Sequence, residues 1–338
     1  MQVIAGDIGG TNTRLVLAEV NGNDRLIQFE KSYTGEQFSD FVELLETFLS
    51  EYKFSLSVKA ACFAVAGPVK SGVVSVTNNP WVISEVKLRR VLGTPNVVLI
   101  NDFSAVGYGV PLLEHANFVT LQQGHADENK SEHQNAAVIG AGTGLGVSQL
   151  ICREGRCMPH SSEAGHVGFA PENRQQRELL AWLQQQNSHV SIEMLLSGTG
   201  LLRIYNFLHE LAGISESSTV IAAMRDIDPA QVITEHALLE DDELCMKTLD
   251  LFLDIYGSAA GNVALHYYPI GDLYIAGGIA AKISSKMADG RFIDAFLNKG
   301  KISSILKNIT VKVITQEKVG LYGALSYAWT RHDTSTIR

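Results

Sequence analysis

The stretch Val97-Val98-Leu99-Ile100-Asn101-Asp102-Phe103-Ser104-Ala105-Val106 organises the rest of the chain. Its four opening apolar residues show no alternation, the pattern of a parallel strand buried on both faces. The run stops at Asn101-Asp102, and a helix is expected to start at Phe103. Open α/β sheets bind ligands outside the carboxyl ends of their strands, and there the sequence sets a carboxylate. Two roles are open for Asp102. It is a general base, with Asn101 bonding a substrate hydroxyl, or it caps the next helix, since Asp and Asn are both good N-caps.

Upstream, Val3-Ile4 leads into Gly6-Asp7-Ile8-Gly9-Gly10-Thr11-Asn12-Thr13 and then Leu15-Val16-Leu17-Ala18. Strand, glycine turn and strand describe a β-hairpin. Glycines let a backbone approach a ligand closely, and successive N–H groups in such a turn form an anion nest. Gly6, Ile8, Gly9, Gly10, Thr11 and Asn12 are therefore expected around phosphate, with Asp7 facing a metal ion bound to it, directly or through water. An ordinary tight hairpin is the alternative, but the run is denser than turn chemistry requires. The pattern returns downstream as Ala136-Ala137-Val138-Ile139, Gly140-Ala141-Gly142-Thr143-Gly144-Leu145-Gly146 and an apolar run to Ile151. This weak internal repeat predicts one hairpin per lobe, the two gripping a nucleoside triphosphate across a cleft, with Gly142, Thr143 and Gly144 on the phosphates. It is neither a Walker loop nor a Rossmann fingerprint: no Lys-Ser/Thr follows the glycines, and a strand rather than a helix comes next.

The remaining segments are read in the same way. Ala60–Ala66 is a buried strand. Thr34-Gly35-Glu36-Gln37 has capping-box spacing before an apolar helical face at Phe38, Phe41, Val42, Leu45, Phe48 and Leu49. Thr77-Asn78-Asn79-Pro80-Trp81 is a turn or a cleft lining in which Trp81 meets a sugar ring. Residues 113–135 form a surface loop and a domain boundary. Glu163 and His166 fit a pair that binds sugar hydroxyls better than a zinc site, because no cysteine pair supplies further ligands. Glu193 precedes an apolar turn, and Thr199 caps a helix. Asp272 to Ile279 is a strand whose glycine pair, Gly277-Gly278, opens a helix and suits close approach to adenosine.

The chain has 338 residues, 46% hydrophobic and 19% charged, with net charge −9. That length supports two domains. The acidic balance argues against nucleic acid and anionic membrane as partners. The four cysteines, Cys62, Cys152, Cys157 and Cys245, form no CxxC pair and are expected to be reduced thiols of a cytoplasmic protein. The N-terminus lacks a signal-peptide pattern, and no apolar stretch is long enough to span a bilayer.

Taken in order, Gly6–Thr11, Thr77-Asn78, Leu99–Phe103, Gly140–Gly144, Glu163-Ala164-Gly165-His166, Glu193 and Ile275-Ala276-Gly277-Gly278 resemble the bacterial glucokinase family, in the sugar-kinase branch of the actin-like ATPase superfamily. The resemblance implies an α/β fold of two actin-like (ribonuclease H-like) lobes with an interlobe cleft. The domains would be 1–115 plus 318–338, small, and 116–317, large. It implies a homodimer using ATP and Mg²⁺ to phosphorylate glucose. Asp102 would be the base, and Asn101, Glu163, His166, Glu193, Thr77 and Asn78 would hold the sugar. The two hairpins would hold ATP phosphates, and Gly277-Gly278 would lie near adenosine. Related kinases and repressors of the wider group carry a cysteine-rich zinc motif after Glu-x-Gly-His; here Val167-Gly168-Phe169-Ala170-Pro171-Glu172 has no cysteine, so no structural zinc is expected. The alternatives are a kinase for mannose, fructose or an amino sugar, and a sugar-sensing regulator. A first strand at residue 3 and the acidic charge weigh against the DNA-binding segment a regulator needs.

Overall fold

In the computed structural model the described residues are 1–10, 12–21, 24–52, 57–77, 79–124, 135–153 and 156–332. Among them, 1–113, 157–159 and 318–332 pack as one unit, and 114–153, 156 and 160–317 as a second.

The first unit is built on a sheet of β1 (Gln2–Ile8), β2 (Asn12–Asn21), β3 (Asp24–Thr34), β4 (Val58–Val65) and, after the short pair β5 (Val73–Ser75) and β6 (Val82–Ser84), β7 (Val97–Asn101). The order is β3-β2-β1-β4-β7. β1 is antiparallel to β2 across the glycine turn and parallel to β4, which is parallel to β7. Ile4 and Ile8 of β1 enter one core with Leu15, Phe41 and Phe63; Val3 and Ala5 enter another with Val16, Ala18 and Cys62. Burial on both faces removes the polar alternation, as the sequence of β7 announced.

The helices are α1 (Phe41–Glu51), α2 (Glu85–Leu92) and α3 (Asp102–Gly109), with a closing helix Val319–His332. α1 starts later than the capping-box reading expects. Thr34 makes no side-chain cap, and residues 35–37 form a 3-10 turn. Asp40 caps α1 instead, accepting from Glu43 N at 2.9 Å, while Glu43 reaches back to Ser39 N at 2.8 Å. Asp40 and Glu43 offer the same spacing nearer the apolar face, and a carboxylate cap is as good as a hydroxyl.

The closing helix covers the second core with Leu321, Ala324, Leu325 and Ala328. It also crosses α3 at backbone distance. A Cβ at Gly323 would stand 1.8 Å from the Ala105 carbonyl oxygen, and one at Gly109 2.1 Å from that of Val319. Only glycines permit this crossing, and it seats the helix that begins with Asp102.

The second unit repeats the plan. Its strands are β8 (Phe118–Gln122), β9 (Ala136–Ala141), β10 (Leu145–Arg153), β11 (Arg156–Ser162), β12 (Asp272–Ala276) and β13 (Thr310–Ile314), in the order β11-β10-β9-β12-β13-β8. β9 is antiparallel to β10 and parallel to β12, which is parallel to β13. The first five strands thus reproduce the order of the other sheet, so the short glycine-turn repeat belongs to a duplicated sheet. The main helices are α4 (Arg174–Gln184), α5 (Gly198–Ala212), α6 (Glu243–His266), α7 (Gly278–Lys282) and α8 (Arg291–Leu297). Ser197, not Thr199, caps α5, accepting from Gly200 N at 3.1 Å.

Two further expectations are corrected. The segment read as a loop over 113–135 contains β8, which pairs with β13 and packs Val119 and Leu121 on the core; residues 125–134 lie outside the described residues. Cys62 and Cys245 are buried free thiols, but Cys152 and Cys157 are disulfide-bonded rather than reduced. The fold-back from β10 to β11 lies between these two cysteines, a proximity that ligand spacing does not reveal. Among the described residues, no helix is long and apolar enough to cross a membrane.

Replacing Gly323 by Val should cost about 1–3 kcal/mol through overpacking. A lowered unfolding midpoint in denaturant checks this; an unchanged midpoint would show that the crossing tolerates a side chain.

Candidate active site

In the first unit three sequence segments meet at the carboxyl ends of parallel strands. β7 ends at Asn101, and α3 begins at Asp102. The cap of α3 is Asn101: its Oδ1 accepts from Phe103 N at 2.9 Å and Ser104 N at 3.2 Å. Its Nδ2 donates to Asp102 Oδ1 at 2.9 Å, and the same oxygen accepts from Phe103 N at 2.9 Å. The two roles open in the sequence are thus divided. Asn101 closes the helix end, and one oxygen of the Asp102 carboxylate is steered by Asn101 and Phe103 N, while the carboxylate also accepts from Asp102's own backbone N–H. Asn101 keeps a second Nδ2 hydrogen for a ligand.

Burial, reinforced by the negative charge of Asp7, pushes Asp102 up to about 6. Burial also raises Asp7, an effect opposed by the positive charge of Arg14. The Asp7 carboxylate accepts no hydrogen bond among the described residues. Two carboxylates that repel one another at one sheet edge attract a proton or a cation.

The glycine turn between β1 and β2 is tight, with Gly9 N bonded to Asn12 O at 3.0 Å. Asn79 was not singled out from the sequence as a site residue, yet its Nδ2 donates to Gly10 O at 3.3 Å and its Oδ1 accepts from Trp81 N at 3.0 Å. The asparagine pair before Pro80 was the available signal. Thr77 is exposed and its N–H bonds Ala66 O at 3.0 Å. Trp81, considered as a platform for a sugar, is 3% exposed and packs on Phe41 in the core. An aromatic beside a turn serves packing as readily as binding. Gly6 lies within β1, and Ile8 is buried in the core. Thr11 and Asn78 lie outside the described residues.

The second unit brings Glu163, His166 and Glu193 together. Glu163-Ala164-Gly165-His166 lies at a 3-10 turn docked on β10, so close that a Cβ at Gly165 would stand 2.3 Å from Leu145 O. The segment bearing Glu193 pairs with the chain after His166: Ile192 N bonds Val167 O and Phe169 N bonds Val190 O, both at 2.9 Å. His166 then stands between carboxylates, Nε2 3.8 Å from Glu163 and Nδ1 3.8 Å from Glu193. These gaps exceed direct hydrogen bonds. They leave the polar atoms free for hydroxyls. His166 and Glu163 are well exposed, so the row is open to a ligand.

Glu193 is fixed by the second glycine hairpin. Its Oε2 accepts from Leu145 N at 2.9 Å, and a Cβ on Gly144 would lie 2.5 Å from that oxygen. Gly142 O accepts from Gly198 N at 2.9 Å, tying the hairpin to the start of α5, and Thr143 is exposed. Gly277 has φ +93°, and a Cβ there would meet Ala141 O at 2.2 Å. This glycine therefore answers to β9, while Gly278 next to it has open space.

A duplicated five-strand plan, each copy carrying a glycine-turn hairpin at the ends of parallel strands, places the chain among α/β sugar kinases of the actin-like ATPase fold. The glucokinase family model matches residues 4–331. The chain is 38% identical over 339 aligned residues to a glucokinase of Nostoc sp. strain PCC 7120, covering 95% of this chain and 97% of that protein. A crystal structure of glucokinase from an Antarctic psychrotroph superposes with a TM-score of 0.81 at 32% identity, covering 97% of this chain and 99% of that one. A ROK-family glucokinase from Streptomyces griseus, solved with glucose and AMPPNP, shares the fold at a TM-score of 0.67 and 18% identity, over 98% of this chain and 100% of that one. The chain belongs to the glucokinase family.

In the free protein the Asp102 carboxyl should titrate near pH 6, and Asp7→Asn should lower that midpoint by removing the second cause of the shift. Carboxyl ¹³C NMR reads both; a midpoint near 4, or one indifferent to Asp7, would contradict the electrostatic account.

Proposed function

We propose that the chain transfers the terminal phosphoryl group of ATP to the 6-hydroxyl of D-glucose. The observation that carries this reading is the Asp102 carboxylate at the end of β7, raised to about 6 by burial and by Asp7. A sugar hydroxyl is a weak nucleophile, and a base works best when its pKa lies near the operating pH. Asp102 is then mostly ionised at neutral pH yet basic enough to take the 6-hydroxyl proton as the bond to phosphorus forms. Such a base contributes roughly 10²–10⁴-fold. Asn101 positions it and offers an N–H to the sugar. Glu163, His166 and Glu193 accept and donate to the remaining hydroxyls, with Thr77 and Asn78 completing the sugar contacts.

The rest of the acceleration comes from positioning and charge. Gly9 N and Gly142 N are bonded to Asn12 O and Gly144 O within their turns, so other backbone N–H groups of the Gly6–Asn12 segment and of Gly142-Thr143-Gly144 bind the phosphates, and Gly277-Gly278 lies along adenosine. Mg²⁺ commonly binds through one or two carboxylates plus substrate phosphates. Asp7, burdened by burial and lacking a hydrogen-bonded partner among the described residues, suits that role. When bound, the ion would neutralise phosphate charge. Its charge beside Asp7 would also hold Asp102 ionised. The same reading takes 1–115 plus 318–338 and 116–317 as the domains of a cytoplasmic homodimer. Glucose-bound and AMPPNP-bound relatives support the substrate pair.

The test is turnover with ATP and Mg²⁺ across a hexose panel. Glucose should give the highest kcat/KM; a clear preference for mannose, fructose or an amino sugar would replace glucose in the reading. A second expectation concerns Glu163, whose carboxylate is well exposed and forms no direct hydrogen bond among the described residues. Glu163→Gln should raise the KM for glucose about 10- to 100-fold, the worth of a hydrogen bond to a charged group, with the fold intact. An unchanged KM would remove Glu163 from the sugar site.

A further inference from the structure

At the start of β7, the end of the strand opposite Asn101, the first unit holds a small pocket of ≈ 230 Å³. Its walls come from the opening residues of β4 and β7, from α2 and from the end of the closing helix. Val97 precedes Asn101 by four positions, about 13 Å along an extended strand, so the pocket is separate from the carboxylates at the other edge. We infer that this pocket binds a phosphate group, free or as the end of a small monoester, between the guanidinium groups of Arg89 and Arg331.

A buried donor on a charged group has nothing to bond there. Arg89 lines the pocket, and its Nε is buried without a hydrogen-bond partner. The neighbouring Nη2 is committed twice, to Glu85 Oε2 at 2.7 Å and to Val97 O at 3.3 Å. Those bonds hold the guanidinium in place and leave Nε unsatisfied. A buried donor without an acceptor is costly, more so on a charged group, and an oxyanion supplies the missing acceptor.

The pocket also carries an uncompensated positive charge. Among the described residues that line it, Glu85 is the one carboxylate. Both of its oxygens are taken, Oε1 by Leu99 N at 3.0 Å and Oε2 by Arg89. Glu85 therefore neutralises Arg89 and has nothing left for Arg331. Arg331 pairs with no carboxylate among the described residues; its Nη1 donates to Tyr327 OH at 3.1 Å, and its other donors stay open. One net positive charge thus faces the pocket in a chain whose net charge is −9. It attracts an anion and repels a cation. The planar fork of a guanidinium matches the oxygens of a phosphate, which one or two such groups can hold.

The size of the space selects further. β7 is the last strand of its sheet, so its outer side meets Glu85 and Arg89 of α2 instead of another strand. Ala60, Ala61 and Ala328 have short side chains and leave room beside the arginines. The volume falls below the about 300–1,000 Å³ of pockets that take drug-sized ligands, which favours a single phosphate group over a nucleotide.

The test titrates the full chain with inorganic phosphate and follows the Arg89 Nε–H signal by ¹⁵N NMR, identified by its loss in Arg89→Lys. The signal should shift saturably with phosphate and should not respond to chloride at matched ionic strength. Arg331→Ala, an exposed change that leaves Arg89 in place, should weaken phosphate at least tenfold, roughly the worth of a hydrogen bond between charged groups. A parallel titration with glycerol 3-phosphate separates the two sources: tighter binding than phosphate assigns the pocket to a monoester, and equal or weaker binding assigns it to the free ion. No saturable shift with either phosphate, the same shift with chloride, or undiminished affinity in Arg331→Ala would overturn the proposal.

Discussion

One side chain, Asn101, governs what the carboxylate of Asp102 can do. A helix that begins at the end of a buried strand leaves N–H groups that need acceptors. Were Asp102 the cap, those N–H groups would hold its charge and make it a poor base. Asn101 takes Ser104 N and shares Phe103 N with Asp102, and a third bond from its amide steers the Asp102 carboxylate. Burial and Asp7 then outweigh the bonds that Asp102 still accepts, and the net shift is upward to about 6. Basicity here is a consequence of which neighbour does the capping.

Close backbone approach supports this arrangement in both units. Gly323 and Gly109 let the closing helix lie against α3 and fix the direction in which Asp102 leaves β7. Gly144 lets Glu193 cross the second hairpin to Leu145 N, and Gly165 lets the turn before His166 rest on the same strand. Residues 30 positions apart thereby form one polar row, because each lies against the β9–β10 hairpin. The glycines around this polar row thus serve contacts within the protein.

Much of this was legible in the sequence where one physical demand had one local signature. The apolar run ending in Asn101-Asp102 predicts a strand and a polar edge, since only double burial removes alternation. Two glycine turns between apolar runs predict two hairpins, and the second proved to head a copy of the first sheet. Legibility failed where contacts between distant segments decide. Trp81 looked like a ligand platform because nothing local says that Phe41 waits beneath it. Asp40 displaced Thr34 as a cap because two capping boxes lay within six residues and packing of Phe41 chose between them. Asn79 was overlooked because its partner is the carbonyl of Gly10, 69 positions away. The Cys152 and Cys157 pairing needed the β10–β11 fold-back to be seen.

The central claim is that Asp102 acts on the 6-hydroxyl proton rather than serving only as a helix residue. Asparagine keeps its shape and its place in α3 but cannot accept that proton. Glucose affinity and single-turnover phosphoryl transfer measured together for Asp102→Asn address the claim most directly. Affinity within about tenfold of wild type with transfer slowed at least 100-fold, the scale of a lost general base, is the predicted result. Transfer within tenfold of wild type would contradict it.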